Sequence, residues 1–421
     1  MKMTGGRLLG VAALIAALTT PSPGSAQEKP AGPTVTAYGF ALLDAFWNSG
    51  PFSNKDNANQ VKVPTVADSG GSFIMSARGS RVGLRLDGLD PGLLAAKLSG
   101  VVEFDFKGGH LGTNSAGWNA FVPRLRLAYA RAEWKTDLGG WYVLAGQDFG
   151  LLNNVNPNTV AYNCDPVFVQ SGNVYRRSPQ LRAGWELKGE SFGVVLAAAM
   201  LSPADADTQG LTGATAVDYG VGNKSRQPDV EARLAVSGQA LGVLQATVGA
   251  GYHLGKRRYF FTSAGEGIHR DLDATLLGID ADLSLTSYLQ LKGEAYSSKG
   301  AEDGSSGGYP GAFPSNPPST GAPPAGFGAV ASDGWWAQAT LKPLPALWLA
   351  AGYGASHASR SALSATAAST RYQSSELHGA LIFNASKNLR LGLELAQTET
   401  RYVVEGAFEA TQLSLAMQLP F

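Results

Sequence analysis

The chain alternates between apolar and polar positions. Over Lys97–Lys107, Leu98, Gly100, Val102, Phe104 and Phe106 share one side of a two-residue period. Lys97, Ser99, Glu103, Asp105 and Lys107 take the other, with Val101 as the exception. Val82, Leu84 and Leu86 likewise oppose Arg81, Gly83, Arg85 and Asp87. Leu181, Ala183, Trp185 and Leu187 oppose Gln180, Arg182, Gly184 and Glu186. Leu389, Leu391, Leu393 and Leu395 oppose Arg390, Gly392 and Glu394. At the end of the chain, Leu413, Leu415, Met417, Leu419 and Phe421 oppose Gln412, Ser414, Ala416 and Gln418. A period of two belongs to strands, because successive side chains point to opposite faces. A helix would space its apolar residues three and four apart.

The connections have a rhythm of their own. Short turns fall at Gly88–Gly92, Asp137–Gly140, Lys188–Glu190, Ser237–Ala240, Thr286–Ser287, Lys342–Pro345 and Asn384–Asn388. Longer links cover Trp47–Gly71, Gly108–Phe121, Leu151–Ser178, Ser202–Gln227, Gly255–Arg270, Ser298–Asp333, Ser356–Arg371 and Arg401–Ala407. Eight long and seven short connections imply sixteen strands, with both chain ends on one side. The phase is ambiguous in the first strand, Thr34–Phe46, and slips over Asp271–Leu285. The Pro-, Gly- and Ser-rich link Ser298–Asp333 suits a rim facing water better than a compact interior. No internal repeat or second domain is visible.

Composition turns this sheet into a membrane barrel. Charged residues are 16% of the chain, against about 25% in ordinary soluble domains. Mean hydropathy is near zero. Beyond the N-terminus no run of 18 apolar residues occurs, and Val194–Leu201 is short. Only helices and closed barrels satisfy every backbone polar group in lipid, so strands of this kind must close. Even strand number, short turns on one side and long loops on the other are the pattern of outer-membrane barrels. The expected fold is therefore an all-β transmembrane antiparallel barrel of about 16 strands. Phe46, Trp47, Trp134, Trp141, Trp335, Trp336 and Phe421 lie near strand ends, where aromatic girdles meet the membrane interfaces.

The N-terminus reads as an export signal. Lys2 and Arg7 precede an apolar Leu8–Leu18, Pro21 and Pro23 break it, and Gly24-Ser25-Ala26 offers a cut after Ala26. The apolar run is shorter than the roughly 20 residues a spanning helix needs. This divides the chain into a leader, residues 1–26, and a barrel, residues 27–421. Lys plus Arg and Asp plus Glu are both 33, which gives no sign of a nucleic-acid partner. Lipid and lipopolysaccharide are the expected surroundings.

A sixteen-stranded barrel encloses a lumen wide enough for water. Candidate chemistry then lies in what narrows the lumen and what charges line it. Leu151–Ser178 holds Asn153, Asn154, Asn156, Asn158, Asp165, Gln170 and Tyr175-Arg176-Arg177 and is too rich in Asn and Pro to be strand throughout. Arg81, Arg85, Arg124, Arg126 and Arg182 face inward on early strands, with Arg176 and Arg177 nearby. Such a row draws anions, and guanidinium matches carboxylates as a fork. Glu103 and Asp105 face the same lumen, so a wall of cross-strand ion pairs is the competing reading. The single cysteine, Cys164, has no partner for an intramolecular disulfide. His110, His253, His269, His357 and His378 show no metal-ligand spacing, and no cofactor is expected.

Tyr38-Gly39-Phe40 to Asp44, Ser80-Arg81-Val82-Gly83-Leu84, Lys97-Leu98-Ser99-Gly100, Glu103-Phe104-Asp105-Phe106, Pro123-Arg124-Leu125-Arg126 with Ala128-Tyr129, and Leu144-Ala145-Gly146-Gln147 together resemble Gram-negative trimeric porins. They are most similar to DcaP-like porins, over about Tyr38–Glu186 and the final strand. Terminal Phe421 resembles the signal read by the barrel assembly machinery. The resemblance implies a homotrimer, a third outer loop folded into the pore as its constriction, and small acids such as dicarboxylates as solutes. Leu151–Ser178 holds that third place by the count of connections. A barrel enzyme is the main alternative, but no nucleophile and base converge in the sequence. A gated transporter with a plug, or an autotransporter, would need more chain ahead of the first strand.

Overall fold

The fold was described from a computed structural model covering residues 32–66, 70–108, 122–137, 139–203, 220–240, 244–263, 265–301, 309–313, 319–363 and 370–421. The proposed leader, residues 1–26, lies outside the described residues, as do most of the second and fourth long links.

Sixteen antiparallel staves follow in chain order. They are β1 (Thr34–Asn48), β2 (Ser72–Ser76 and Arg81–Leu89), β3 (Lys97–Asp105), β4 (Arg124–Thr136), β5 (Gly139–Phe149), β6 (Arg177–Lys188), β7 (Phe192–Leu201) and β8 (Asp229–Ala240). There follow β9 (Leu244–Ser263), β10 (Glu266–Ser284), β11 (Leu289–Lys299), β12 (Ala331–Leu344), β13 (Leu347–Ala358), β14 (Arg371–Ser386), β15 (Leu389–Tyr402) and β16 (Gly406–Pro420). The two pieces of β2 pair with the same edge of β1, so they form one broken stave. At the break, the Ser80 hydroxyl accepts from the Leu42 amide at 3.0 Å and keeps that edge satisfied.

Each strand pairs with the next, and β1 pairs with β16 from Phe40↔Pro420 to Asn48↔Gln412. Gly39 and Phe421 exchange backbone hydrogen bonds of 3.1 and 3.0 Å at the seam. Closure removes the free edges that an open sheet would present to lipid.

The alternation resolves into an inside-out protein. Leu393, Leu395, Leu413, Leu415 and Leu419 are 38–51% exposed, while Glu394, Gln412 and Ser414 between them are 0–1% exposed. The apolar set faces the bilayer and the polar set faces inward, as the period of two requires. Trp47, Trp141, Trp335 and Phe421 join the outer face. Phe46 and Trp336 do not belong to a girdle. They point inward and are buried at 1% exposure, because a loop packs over them inside the barrel.

Six of the seven short turns overlap the expected places, and the first strand starts and the last strand ends on their side. Ser237–Ala240, expected as a turn, stays paired with Leu244–Thr247 as strand, because the hairpin continues past the small residues Ser237 and Gly238. Two of the long links differ from expectation. Gly255–Arg270 is not a loop: β9 and β10 stay paired from Gly255↔Ala274 to Ser263↔Glu266 and project beyond the barrel. Cross-strand pairs of Lys256 with Asp273 (3.0 Å) and Arg258 with Asp271 (2.6 Å) hold its outer side. Tyr259 and Phe261 on its inner side are buried beside Phe327 of a neighbouring link. Arg401–Ala407 shrinks to residues 403–405. Strand signals thus continue above the membrane wherever a partner covers one face.

The phase slip in β10 has a similar cause. Ala274 and Leu276 face inward, and Leu152 and Val174 of the third link bury them. Apolar residues on the lumen side are correct here because a loop, not water, lies against them.

Candidate functional site: the inward loop and the charged walls

Residues 150–176 leave the outer end of β5, fold into the lumen and return to β6. Most of their side chains are buried. A loop in this position must find partners for its backbone amides, and the barrel wall supplies carboxylates. Glu231 on β8 accepts the Leu151 amide at 2.6 Å. Glu376 on β14 accepts the Phe168 amide at 3.2 Å. Glu394 on β15 accepts the Val160 and Ala161 amides at 2.6 and 2.9 Å, the Thr159 hydroxyl at 2.6 Å, and faces His378 Nε2 at 3.0 Å. Gln338 accepts the Asn158 amide at 2.7 Å. The Tyr162 hydroxyl reaches Gln412 and Ser414 on β16 at 2.7 and 2.9 Å.

Apolar contacts complete the seat. Val160, Tyr162, Val167 and Phe168 pack with inward Leu42, Phe46, Trp336 and Ile382. Phe168 stacks on Trp336 at 5.6 Å and 23°. Two wall glycines let the loop come close. A Cβ on Gly354 would lie 2.2 Å from the Ser171 carbonyl oxygen, and one on Gly392 would lie 2.8 Å from Val160 Cβ. Any larger residue at Gly354 would push against backbone, which cannot rotate away.

The first long link folds inward as well. Its small hairpin, Phe52–Asn54 with Asn57–Val61, buries Phe52, Ala58 and Val61 against Ala396 and Ala410. It meets the third link where Asn57 Nδ2 donates to the Asp165 carbonyl at 3.3 Å.

Where these loops meet β2–β4, charges interlock. Arg126 is the extra residue of a β-bulge, since Glu103↔Leu127 is followed by Phe104↔Leu125. The bulge aims its buried guanidinium at Glu103 (2.7 Å), Asp105 (2.9 Å) and the Cys164 carbonyl (3.1 Å). Arg124 bonds Asp105 at 2.7 Å and Asp165 at 3.2 Å. Arg81 lies 3.5 Å from Glu103 and donates to the Asn163 carbonyl at 2.7 Å. Lys107 sits 3.3 Å from Asp165 and 3.8 Å from Asp56, and Arg78 bonds Asp56 at 2.5 Å. Five cations thus meet four carboxylates, Asp56, Glu103, Asp105 and Asp165.

Electrostatics favour the ionised forms in the loop part of this cluster. Burial works to raise the Asp165 carboxyl, but Lys107 and then Arg124 outweigh it and hold it well below its ordinary value of 3.8. Burial opposes ionisation of Asp56 too, and Lys107 and Arg78 again outweigh it. Burial disfavours the Lys107 cation, and Asp56 and Asp165 more than compensate. Burial raises the Cys164 thiol despite the nearby Lys107 and Arg126.

The arginines read from the sequence do not all gather here. Arg81, Arg124 and Arg126 do, with Glu103, Asp105 and Asp165. Arg182 faces inward beside them and pairs with Asp148 at 3.2 Å. Arg85 sits nearer the short turns, exposed, 3.2 Å from Asp87. Arg176 turns away to Asp229 (3.3 Å), which also holds Arg257 at 2.9 Å. Arg177 opens β6 opposite Phe149, in step with outward Leu181, and lies by the Phe149 and Tyr175 rings. Sequence reasoning missed the anchoring roles of Glu231, Glu376 and Glu394. Their inward phase was legible, but nothing local marks them as amide acceptors for a distant loop. Among the described residues, no group of His, Cys, Asp and Glu forms a candidate metal site.

No family model and no curated protein sequence matches the chain. Solved structures do. The outer-membrane channel DcaP of Acinetobacter baumannii superposes with a TM-score of 0.66 at 17% identity, covering 93% of this chain and 98% of that one. The anion-selective porin of Comamonas acidovorans gives 0.54 at 13% identity, covering 92% and 100%. OprB of Pseudomonas putida gives 0.54 at 11% identity, covering 98% and 96%. At these identities the likeness speaks for architecture, and the architecture is that of the sixteen-stranded outer-membrane porins, most similar in this group to DcaP.

Proposed function

We propose that this chain is an outer-membrane porin, a passage for small hydrophilic solutes that favours anions. The observation that carries the reading is the loop of residues 150–176, held across the lumen by wall carboxylates so that it narrows the passage. A structural barrel alone would not need an interior loop anchored at three separate glutamates. The excess of cations over carboxylates around Arg81, Arg124, Arg126 and Lys107 supports the preference for anions. A similar barrel from Comamonas acidovorans is an anion-selective porin, which supports the same reading.

On this reading Arg81, Arg124, Arg126 and Arg182, with Glu103, Asp105 and Asp165, line or shape the constriction, and Arg85 lines the passage nearer the short turns. Arg176 and Arg177 support the loop base. Residues 1–26 are an export leader, the outer face meets lipid and lipopolysaccharide, and the assembled form is a homotrimer. Small carboxylates, dicarboxylates among them, are the solutes.

The test is reversal potential in planar bilayers under a salt gradient. The unaltered protein is expected to conduct with anion preference. Arg81→Glu with Arg124→Glu is expected to weaken or invert that preference. Absence of conductance would refute the porin reading, and cation preference in the unaltered protein would refute the anion claim.

A further inference from the structure

On the short-turn rim, away from the arginines of β2–β6, four inward positions converge. Lys292 on β11, Lys342 on β12, Trp348 on β13 and Arg390 on β15 keep the phase of buried Glu294, Gln338, Ala350 and Glu394. Leu341, Leu349 and Leu393, in the opposite phase, are exposed on the outer face. Lys342 Nζ lies 4.6 Å from the centre of the Trp348 ring, and Arg390 Cζ lies 5.8 Å from it. Arg390 Nε donates to Asn384 Oδ1 at 3.0 Å, and Lys342 Nζ to Gln290 Oε1 at 3.4 Å. Lys292 Nζ donates to Asn158 Oδ1 at 3.1 Å and to the Asn156 carbonyl at 3.2 Å, at the tip of the inward loop. Asn158 Nδ2 donates in turn to Gln290 Oε1 at 3.2 Å, so one amide network joins the two lysines.

A ring face or an amide oxygen orients a cation without cancelling its charge. A carboxylate would cancel it. Among the described residues, Asp282 lies 3.9 Å from Lys292 and is bonded to Gln290 Nε2 at 2.7 Å, while Glu394, further along β15, acts on Arg390 through space without bonding it. Among the described residues neither Lys342 nor Arg390 forms an ion pair. Their charge therefore faces the lumen, where protein walls focus the field.

We propose that Lys342 and Arg390, set around Trp348, with Lys292 joined to Lys342 through Asn158 and Gln290, form an anion-holding station at the short-turn mouth, taking small multivalent oxyanions of carboxylate or phosphate chemistry. The proposal rests on the reading of the chain as an anion passage and says where inside it an anion pauses.

The test titrates the purified full-length barrel in detergent with sodium succinate and, separately, with sodium phosphate, following heat of binding. The same proteins are then measured in planar bilayers. Lys342→Gln and Arg390→Gln are each expected to weaken binding by about tenfold or more, the scale of one lost charged hydrogen bond. Lys342→Arg is expected to retain it. Lys188→Gln, which removes an exposed charge from the same rim on β6, is expected to leave it unchanged. Binding of one anion alone identifies the chemistry, and binding of both assigns the station to oxyanions in general. Binding of neither overturns the proposal, as does binding that Lys342→Gln and Arg390→Gln leave intact. A barrel that binds succinate at these residues yet passes no current would refute the channel reading and leave the station standing.

Discussion

On the wall built by β2–β6, Arg81, Arg85, Arg124, Arg126, Arg131 and Arg182 each lie within 4 Å of a carboxylate. Across the lumen, Lys342 and Arg390 rest on an indole and on amide oxygens. The first wall has more positive groups and the second leaves more of its charge unspent. A count of basic residues thus misjudges where an anion is held. Pairing makes the first wall a rigid frame for the loop, since a buried ion pair that keeps all its partners costs little and one that loses a partner costs much.

The largest effect should come from breaking that frame. Arg126→Met leaves Glu103 buried without its closest cation and Asp105 with Arg124 alone, and is expected to cost about 3–5 kcal/mol. The measurement is the temperature at which the folded barrel loses its compact band on unboiled gels. If the fall is no larger than for Arg85→Met, whose ion pair is exposed, the first wall is not a paired frame.

A smaller effect tests the seam between the walls. Glu394→Gln keeps the shape of the side chain but removes the charge that gathers two amides and Thr159. A loss of about 1.5–3 kcal/mol in all, the scale of one charged hydrogen bond because the amide oxygen still accepts, would loosen the loop tip while the barrel stays closed. Cys164, buried in the loop with its thiol on the Gly79 carbonyl, is the reporter. Maleimide labelling of Cys164 is expected to be slow in the unaltered protein and severalfold faster in Glu394→Gln. Equal rates would mean that the carboxylate is not the anchor.

The smallest effect is that of acid. Asp56 and Asp165 are held below their ordinary value of 3.8 in the folded protein. A group with a depressed folded value stabilises the fold above its unfolded value, and that contribution is lost as pH falls through the folded one. The loop contacts of Lys107 should therefore be indifferent to pH across the neutral range and weaken only below about pH 4. Cys164 labelling after brief acid exposure reads this directly. Loosening already at pH 6 would point to other groups.

Much of this was written in the period of two. The leucines of β15 and β16, and Val82, Leu84, Val102 and Phe104, identify the lipid face without ambiguity, and the spacing of turns orients the barrel. What escaped the pattern shares one physical cause. Leu42, Phe46, Leu276, Trp336 and Ile382 are apolar yet face inward, because the lumen side beneath a folded loop is a dry core. A rule that equates inward with wet fails at such positions, and that is why the phase of β1 and β10 was hard to read. The Lys342, Trp348 and Arg390 group was hidden differently. Each sits within a few residues of a short turn, so their proximity depends on closure of the sheet and on no local spacing. The paired state of the arginine row was visible only as a choice between two readings, because Glu103 and Asp105 carry no mark of which arginine they meet.

The seat of the inward loop has a consequence for how the molecule comes into being. The groups that receive Val160, Tyr162 and Phe168 lie 234, 252 and 208 residues further along the chain. Contacts at such separation form late, because the intervening segment must first be organised. The last three staves carry those receiving groups, so a half-built sheet has nowhere to put the loop. The narrowing of the passage is thus a property that only a finished molecule acquires, and the loop's arrival doubles as a sign that the circle of strands is complete.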